Sequence, residues 1–335
     1  MSSEVKVKRG VSLYSYQEEF YTRKLDLEQC IAEVSKTGAK GIELLPEQMV
    51  KGFPKVTDEF VEKWFSWMDK YGTEPTAYDA FLDTKLFPNR LLTLDESVDM
   101  MVRDLKLANK LGFKVLRTLV STPLEVVEKS LPYAEEYGVK IALEVHAPFT
   151  FGTPWFEERM EYILSSGTKW FGIMPDLGIF VKRMAPVMEQ RYIRDGATPE
   201  IVKFVSDNYA NGEDKHETLN AVKKMNYANE LDIKYAEFVT HFVYTDPKIL
   251  KQYIPYIFHV HGKFYEITEK YEEPSIPINE IINVLVDGGY EGYINSEYEG
   301  NRHIQDFVDV DSVEQVRRHQ VLLKNILGEK KVYNR

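Results

Sequence analysis

The sequence predicts a (β/α)8 barrel with a helical insertion after its sixth strand. Short β-branched or aromatic runs alternate with longer stretches of 3.6-residue periodicity, as repeated βα units require. The helical stretches end at a recurring glycine just before the next strand (Gly38, Gly72, Gly112, Gly138, Gly289), which marks αβ turns. Eight strand candidates follow this rhythm: VSLYSY (11–16), GIELLP (41–46), EPTAYDAF (74–81), KVLRTLV (114–120), KIALEVH (140–146), WFGIMPD (170–176), YIFHVHGKF (256–264) and GYINSEYE (292–299).

Spacing locates the insertion. A barrel of about 250 residues averages about 31 per βα unit, so Glu144 to Asp176 and His261 to Glu297 are each one step round the ring. Asp176 to His261 is too long for one step. The excess falls at about 181–245, is rich in helical pattern, and should stand over or beside the C-terminal mouth of a single domain spanning 1–335.

Composition narrows the function. Lys plus Arg at 42 against Asp plus Glu at 53 gives a net charge of −11, which disfavours nucleic acid as a partner. The first residues lack the apolar segment of an export signal, and no apolar run approaches the length of a membrane span. The one cysteine, Cys30, forms no internal disulfide, so a cytoplasmic setting is expected. The closing stretch NILGEKKVYNR reads as a solvated tail.

Four residues on the last four strands, Glu144, Asp176, His261 and Glu297, fall at or near C-terminal strand ends, where a barrel converges its site residues. Three carboxylates and an imidazole suit one divalent cation, Mn2+ more than Zn2+, with Mg2+ also admissible. Without a counter-charge such a cluster would cost several kcal/mol to bury, on the order of magnitude known for unpaired interior charges. His146 lies two positions beyond Glu144, hence on its face. Beside a cation its imidazole stays neutral and is suited to act as a general base; the other readings are a further ligand or a core histidine held by a neighbour.

LEVH, MPDLG, FHVHGK and SEYEG resemble, in order and placement, the metal-ligand strands of the xylose-isomerase-like TIM barrels, which include sugar-phosphate isomerases, ketose epimerases and endonuclease-IV-type repair enzymes. The resemblance implies Glu144, Asp176, His261 and Glu297 as the metal ligands. Ile179 stands where the repair enzymes have a histidine, and the first 145 residues contain none, which argues against DNA repair. HGKFYEITEK departs from the ketose-epimerase pattern after the seventh-strand histidine. With the insertion, LEVHAP and SEYEGNRHIQD, the chain most resembles the large (alpha) subunit of the bacterial C-glycoside deglycosidases. That resemblance implies a metal-dependent carbon–carbon lyase acting on 3-oxo-C-glucosides with an aromatic aglycone, in a hetero-oligomer with a small β-rich partner subunit. A sugar or sugar-phosphate isomerase or epimerase using the same enolisation is the alternative, and a non-catalytic partner subunit is the third reading.

Other polar residues have two readings each. Tyr14, Tyr16, Glu43, Glu47, Tyr78, Asp79 and Arg117, near the mouths of strands one to four, either bind sugar hydroxyls or are ordinary mouth polarity. Lys263 either polarises a keto oxygen or pairs an acid, and Glu299 is the rival to Glu297 as ligand. Trp155, with Phe149, Phe151 and Phe156, either stacks on a flavonoid-like ring or packs beneath the insertion. His241 and His259 read as structural or solvated, and Arg302 and His303 as mouth residues without a defined role.

Overall fold

The computed structural model describes residues 6–329; the last six residues of the tail, 330–335, lie outside that span. Eight parallel strands run in the order β6-β5-β4-β3-β2-β1-β8-β7. They are β1 Lys8–Ser12, β2 Gly41–Leu44, β3 Glu74–Asp79, β4 Val115–Thr118, β5 Lys140–Val145, β6 Phe171–Pro175, β7 Val260–Phe264 and β8 Tyr293–Tyr298. Isolated bridges from Ile173 to Ile257 and from Asp176 to His261 join β6 to β7, so the barrel is nearly closed.

The intervening helices have the ends their sequences prescribe. Asp26 and Thr93 form capping boxes with Gln29 and Glu96 at the starts of Leu27–Lys36 and Leu94–Lys110. Gly72 and Gly138 stop their helices at φ of 64° and 63°, a left-handed conformation that costs glycine nothing.

Two strands differ from the sequence expectation. β1 ends at Ser12, and residues Leu13–Tyr16 form a 3-10 turn. Ser15 causes this: its hydroxyl donates to the Ser296 carbonyl and accepts from the Tyr298 amide, replacing a ladder that the aromatic residues alone would favour. Tyr16 is thereby buried in the core, away from the mouth. β7 starts only at Val260, because Pro255 lacks an amide hydrogen and residues Ile254–Tyr256 turn as 3-10 helix. Tyr78 also leaves the mouth, donating its hydroxyl hydrogen 3.1 Å to Asp104 on the Leu94–Lys110 helix.

Strand alternation builds the barrel interior in layers. Ala77, Val115, Ala142 and Met174 make a small apolar plug separate from the main core. Two residues further along the same strands stand Asp79, Arg117, Glu144 and Asp176, so the apolar floor gives way to charge towards the C-terminal ends. Between β6 and β7 lie four helices, Pro186–Asp195, Pro199–Ala210, Lys215–Lys224 and Glu230–Val239. Among the described residues, no helix is long and apolar enough to cross a membrane.

Candidate active site

Glu144, Asp176, His261 and Glu297 are all buried, and each offers a ligand-type atom within 4.8 Å of the others. The His261 ring stands among three carboxylates. Its Nδ1 is 2.8 Å from Glu144 Oε1 and 3.5 Å from Glu297 Oε2, while Nε2 is 2.7 Å from Glu43 Oε1. Glu43 is fully buried; its second oxygen accepts from Asn295 Nδ2 at 2.9 Å and lies 3.2 Å from His259 Nε2. The sequence reading gave Glu43 as a binder of sugar hydroxyls or ordinary mouth polarity, not as a partner of His261, and His259 as structural or solvated. Their signal was the spacing of His259 and His261, two apart on one inward face.

Burial sets the electrostatics. It pushes the Glu297 carboxyl up to about 8, with Asp176 and Glu299 adding to the rise and His261 and Lys263 opposing it. Burial lowers the His261 imidazole, but Glu297 and Glu43 outweigh it and hold it well above its usual value. Glu144 stays below the ordinary carboxylate range, because Arg117 and His261 overcome the burial cost.

The residues fit a divalent cation. Asp176 Oδ2 and Glu297 Oε2 are buried without a hydrogen bond among the described residues. Lys263 Nζ comes within 2.7 Å of Asp176 Oδ2, as an ion pair without hydrogen-bond geometry. A neutral His261 donating from Nε2 to Glu43 would present Nδ1 to the same centre, the carboxylate–histidine arrangement that fixes a ligating ring. Three carboxylates and one nitrogen form a hard donor set suited to Mn2+ or Mg2+.

Above the cluster is a cavity of about 240 Å³ whose lining includes His146, Gly178, Met188, Phe242, Glu299 and Arg302. His146 stands just past the end of β5. Its Nδ1 is 2.6 Å from the Ala147 carbonyl, which assigns the proton to that nitrogen, and Nε2 lies 4.0 Å from Asp176 Oδ2. Glu299 lines the cavity, 3.5 Å from Lys263 and 3.6 Å from Arg302, and is not in the four-residue cluster.

Arg117 is buried beneath the cavity, 3.1 Å from Asp79 and 3.9 Å from Glu144. Tyr14 is at the mouth and accepts a hydrogen bond from Arg302 Nη2 at 2.7 Å. Glu47 is exposed on the short Pro46–Met49 helix. The Trp155 ring is occupied by neighbours: Nε1 donates to the Val120 carbonyl, Arg159 lies over one face, and Phe149 packs at 5.2 Å. Phe151 and Phe156 pack against Tyr253.

The profile of the xylose isomerase-like TIM barrel family matches residues 31–325. The chain belongs to that family. It is 30% identical to a 3'-dehydrocarminate deglycosidase alpha subunit of Microbacterium sp., over 96% of this chain and 95% of that one. It is also 30% identical to a C-glycoside deglycosidase alpha subunit of Arthrobacter globiformis, over 96% and 93% of the two chains. Among solved structures it resembles a D-psicose 3-epimerase, with a TM-score of 0.57 at 13% identity, covering 96% of this chain and 100% of that one; the likeness is one of fold.

Proposed function

We propose that this chain is the catalytic subunit of a carbon–carbon lyase that cleaves 3-oxo-C-glucosides carrying an aromatic aglycone. The observation that carries the proposal is the open Nε2 of His146 in a cavity directly above a buried cluster suited to a cation. The family relatives named as C-glycoside deglycosidase alpha subunits support it.

A C-glycosidic bond has no leaving oxygen to protonate, so hydrolysis by paired carboxylates does not apply. With carbon 3 oxidised to a ketone, the proton on carbon 2 becomes acidic. Glu144, Asp176, His261 and Glu297 would hold one divalent cation, Mn2+ in our reading. When bound it supplies Lewis acidity to the 2-hydroxyl and 3-keto oxygens.

His146 Nε2 takes the carbon-2 proton. Its Nδ1–H keeps donating to the Ala147 carbonyl, fixing the ring. The carbon 1 to aryl bond breaks, a carbon 1 to carbon 2 double bond forms, and the aryl carbon gains a hydrogen. The products therefore sum to the substrate. Lys263, 2.7 Å from Asp176 and 3.5 Å from Glu299, is the ammonium we assign to a substrate oxygen.

The word alpha in the relatives' names supports a partner subunit, which we take to be small and β-rich. A single buried cysteine is consistent with work in the cytoplasm. The test incubates the metal-loaded chain, with and without the partner, with 3-oxo-C-glucosides and with free ketoses. Aglycone release from the former supports the proposal. Interconversion of ketoses without aglycone release replaces it with an epimerase.

A further inference from the structure

The geometry points to the helical insertion as the builder of a subsite for the leaving group, one that takes a phenolic ring as its phenolate with Arg302 as counter-charge. This rests on the lyase reading and says where the departing ring is held.

The cavity has two unlike ends. His146 and Glu299 border the carboxylate cluster. The other end is walled by Met188 from the Pro186–Asp195 helix, Phe238 from the Glu230–Val239 helix, and Phe242 just after it. Phe238 and Phe242 meet edge to face at 5.0 Å, and Phe242 meets Tyr265 edge to face at 6.4 Å. Such walls present ring faces and edges to a planar aromatic guest. A cavity of about 240 Å³ accommodates one substituted ring beside the sugar site.

Arg302 stands between the two ends, beside Glu299 and next in sequence to His303, which meets Phe238 at 6.3 Å. Its guanidinium donates to the Tyr14 hydroxyl and stands 3.6 Å from Glu299. Glu299 also stands 3.5 Å from Lys263, whose nearer partner is Asp176 at 2.7 Å, and Arg302 is half-exposed with its guanidinium lining the cavity. The ring leaves from its keto tautomer, in which the phenolic proton has moved to the ring carbon that bears the sugar; when that bond breaks, its electron pair re-forms the aromatic ring and comes to rest on the phenolic oxygen. A fixed cation stabilises that charge as it forms. The insertion also holds the loop that carries Arg302: Arg194 donates to Asp306 from Nε and Nη2 and to the His303 carbonyl.

The test uses 4-nitrophenol, whose phenolate is coloured, on the metal-free chain so that no bound cation supplies the effect. Bound probe should ionise at a pH lower by about 1 unit or more than free probe, the shift expected beside an opposite charge. His146, His241, His303 and Glu299 also face the cavity, so the assignment to Arg302 rests on Arg302→Met, which should remove the shift, and on Arg302→Lys, which should restore most of it. Phe238→Ala should weaken binding of neutral 4-methylphenol about tenfold, a lost aromatic contact. Unchanged binding and ionisation in both Arg302→Met and Phe238→Ala, each still folded by circular dichroism, would overturn the subsite. The two failures are separable: a wild type that binds and ionises the probe but releases no aglycone from 3-oxo-C-glucosides leaves the subsite standing and removes the lyase.

Discussion

His261 divides the barrel mouth into two acidic halves that differ in how many carboxylates converge on them. On the Nε2 side, Glu43 receives His261, Asn295 and His259, and Asp79 faces Arg117. Both oxygens of Asp79 are nonetheless buried without a hydrogen bond among the described residues. On the Nδ1 side, Glu144, Asp176 and Glu297 converge, and two of their buried oxygens have no hydrogen bond among the described residues. Each half also holds a cation of the chain, Arg117 beside Asp79 and Lys263 beside Asp176, and what separates them is that three carboxylates meet on the Nδ1 side against two on the Nε2 side. A buried carboxylate in such a barrel is therefore read by its partners as well as by its position.

The sharpest way to break this contrast is to neutralise one acid on each side. Asp176→Asn should lose the metal and all turnover. Asp79→Asn should keep the metal but leave Arg117 buried without its partner, costing about 3–5 kcal/mol of stability. Metal analysis and denaturant unfolding read the two outcomes; equal metal loss in both would erase the distinction between the halves.

His146→Asn tests the base alone. Turnover and proton exchange at carbon 2 should fall about 10²- to 10⁴-fold with metal content near normal. Loss of the metal instead would make His146 a ligand. Glu43→Gln probes the link between the halves: it keeps the shape but weakens the hold on His261 Nε2, and metal affinity measured by competition with a chelator should fall about 10- to 100-fold.

A separate effect is a pH dependence of the metal-free chain. The Glu297 carboxyl rises from an ordinary 4.5 to about 8 on folding, so the folded state binds the extra proton. Its contribution to stability is full below about 4.5 and is lost as pH rises through about 8. Thermal unfolding across that window should show the decline in the metal-free protein and a flatter profile in Glu297→Gln. An equally steep decline in the variant would assign the dependence elsewhere.

The repeated helix, glycine and strand made the barrel legible, and the spacing of Glu144, Asp176, His261 and Glu297 on successive strands predicted the convergence that the structure shows. Ser15 was not legible as the end of β1, because its effect comes from backbone groups of β8 about 280 residues away. Glu43 was hidden for a related reason. A glutamate after an isoleucine on a short strand carries no local mark of the imidazole it will hold. Trp155 offered an aromatic ring near the right strand, but Arg159, one helical turn later, already covers it.

Arg194 joins segments 112 residues apart in sequence, the first insertion helix and the loop after β8. Exchange of substrate range between members of this family is therefore a transplant of two pieces. A graft of residues 181–245 that omits 299–307 would separate Arg194 from Asp306 and bring new walls to a cavity whose charged corner still follows the old ones.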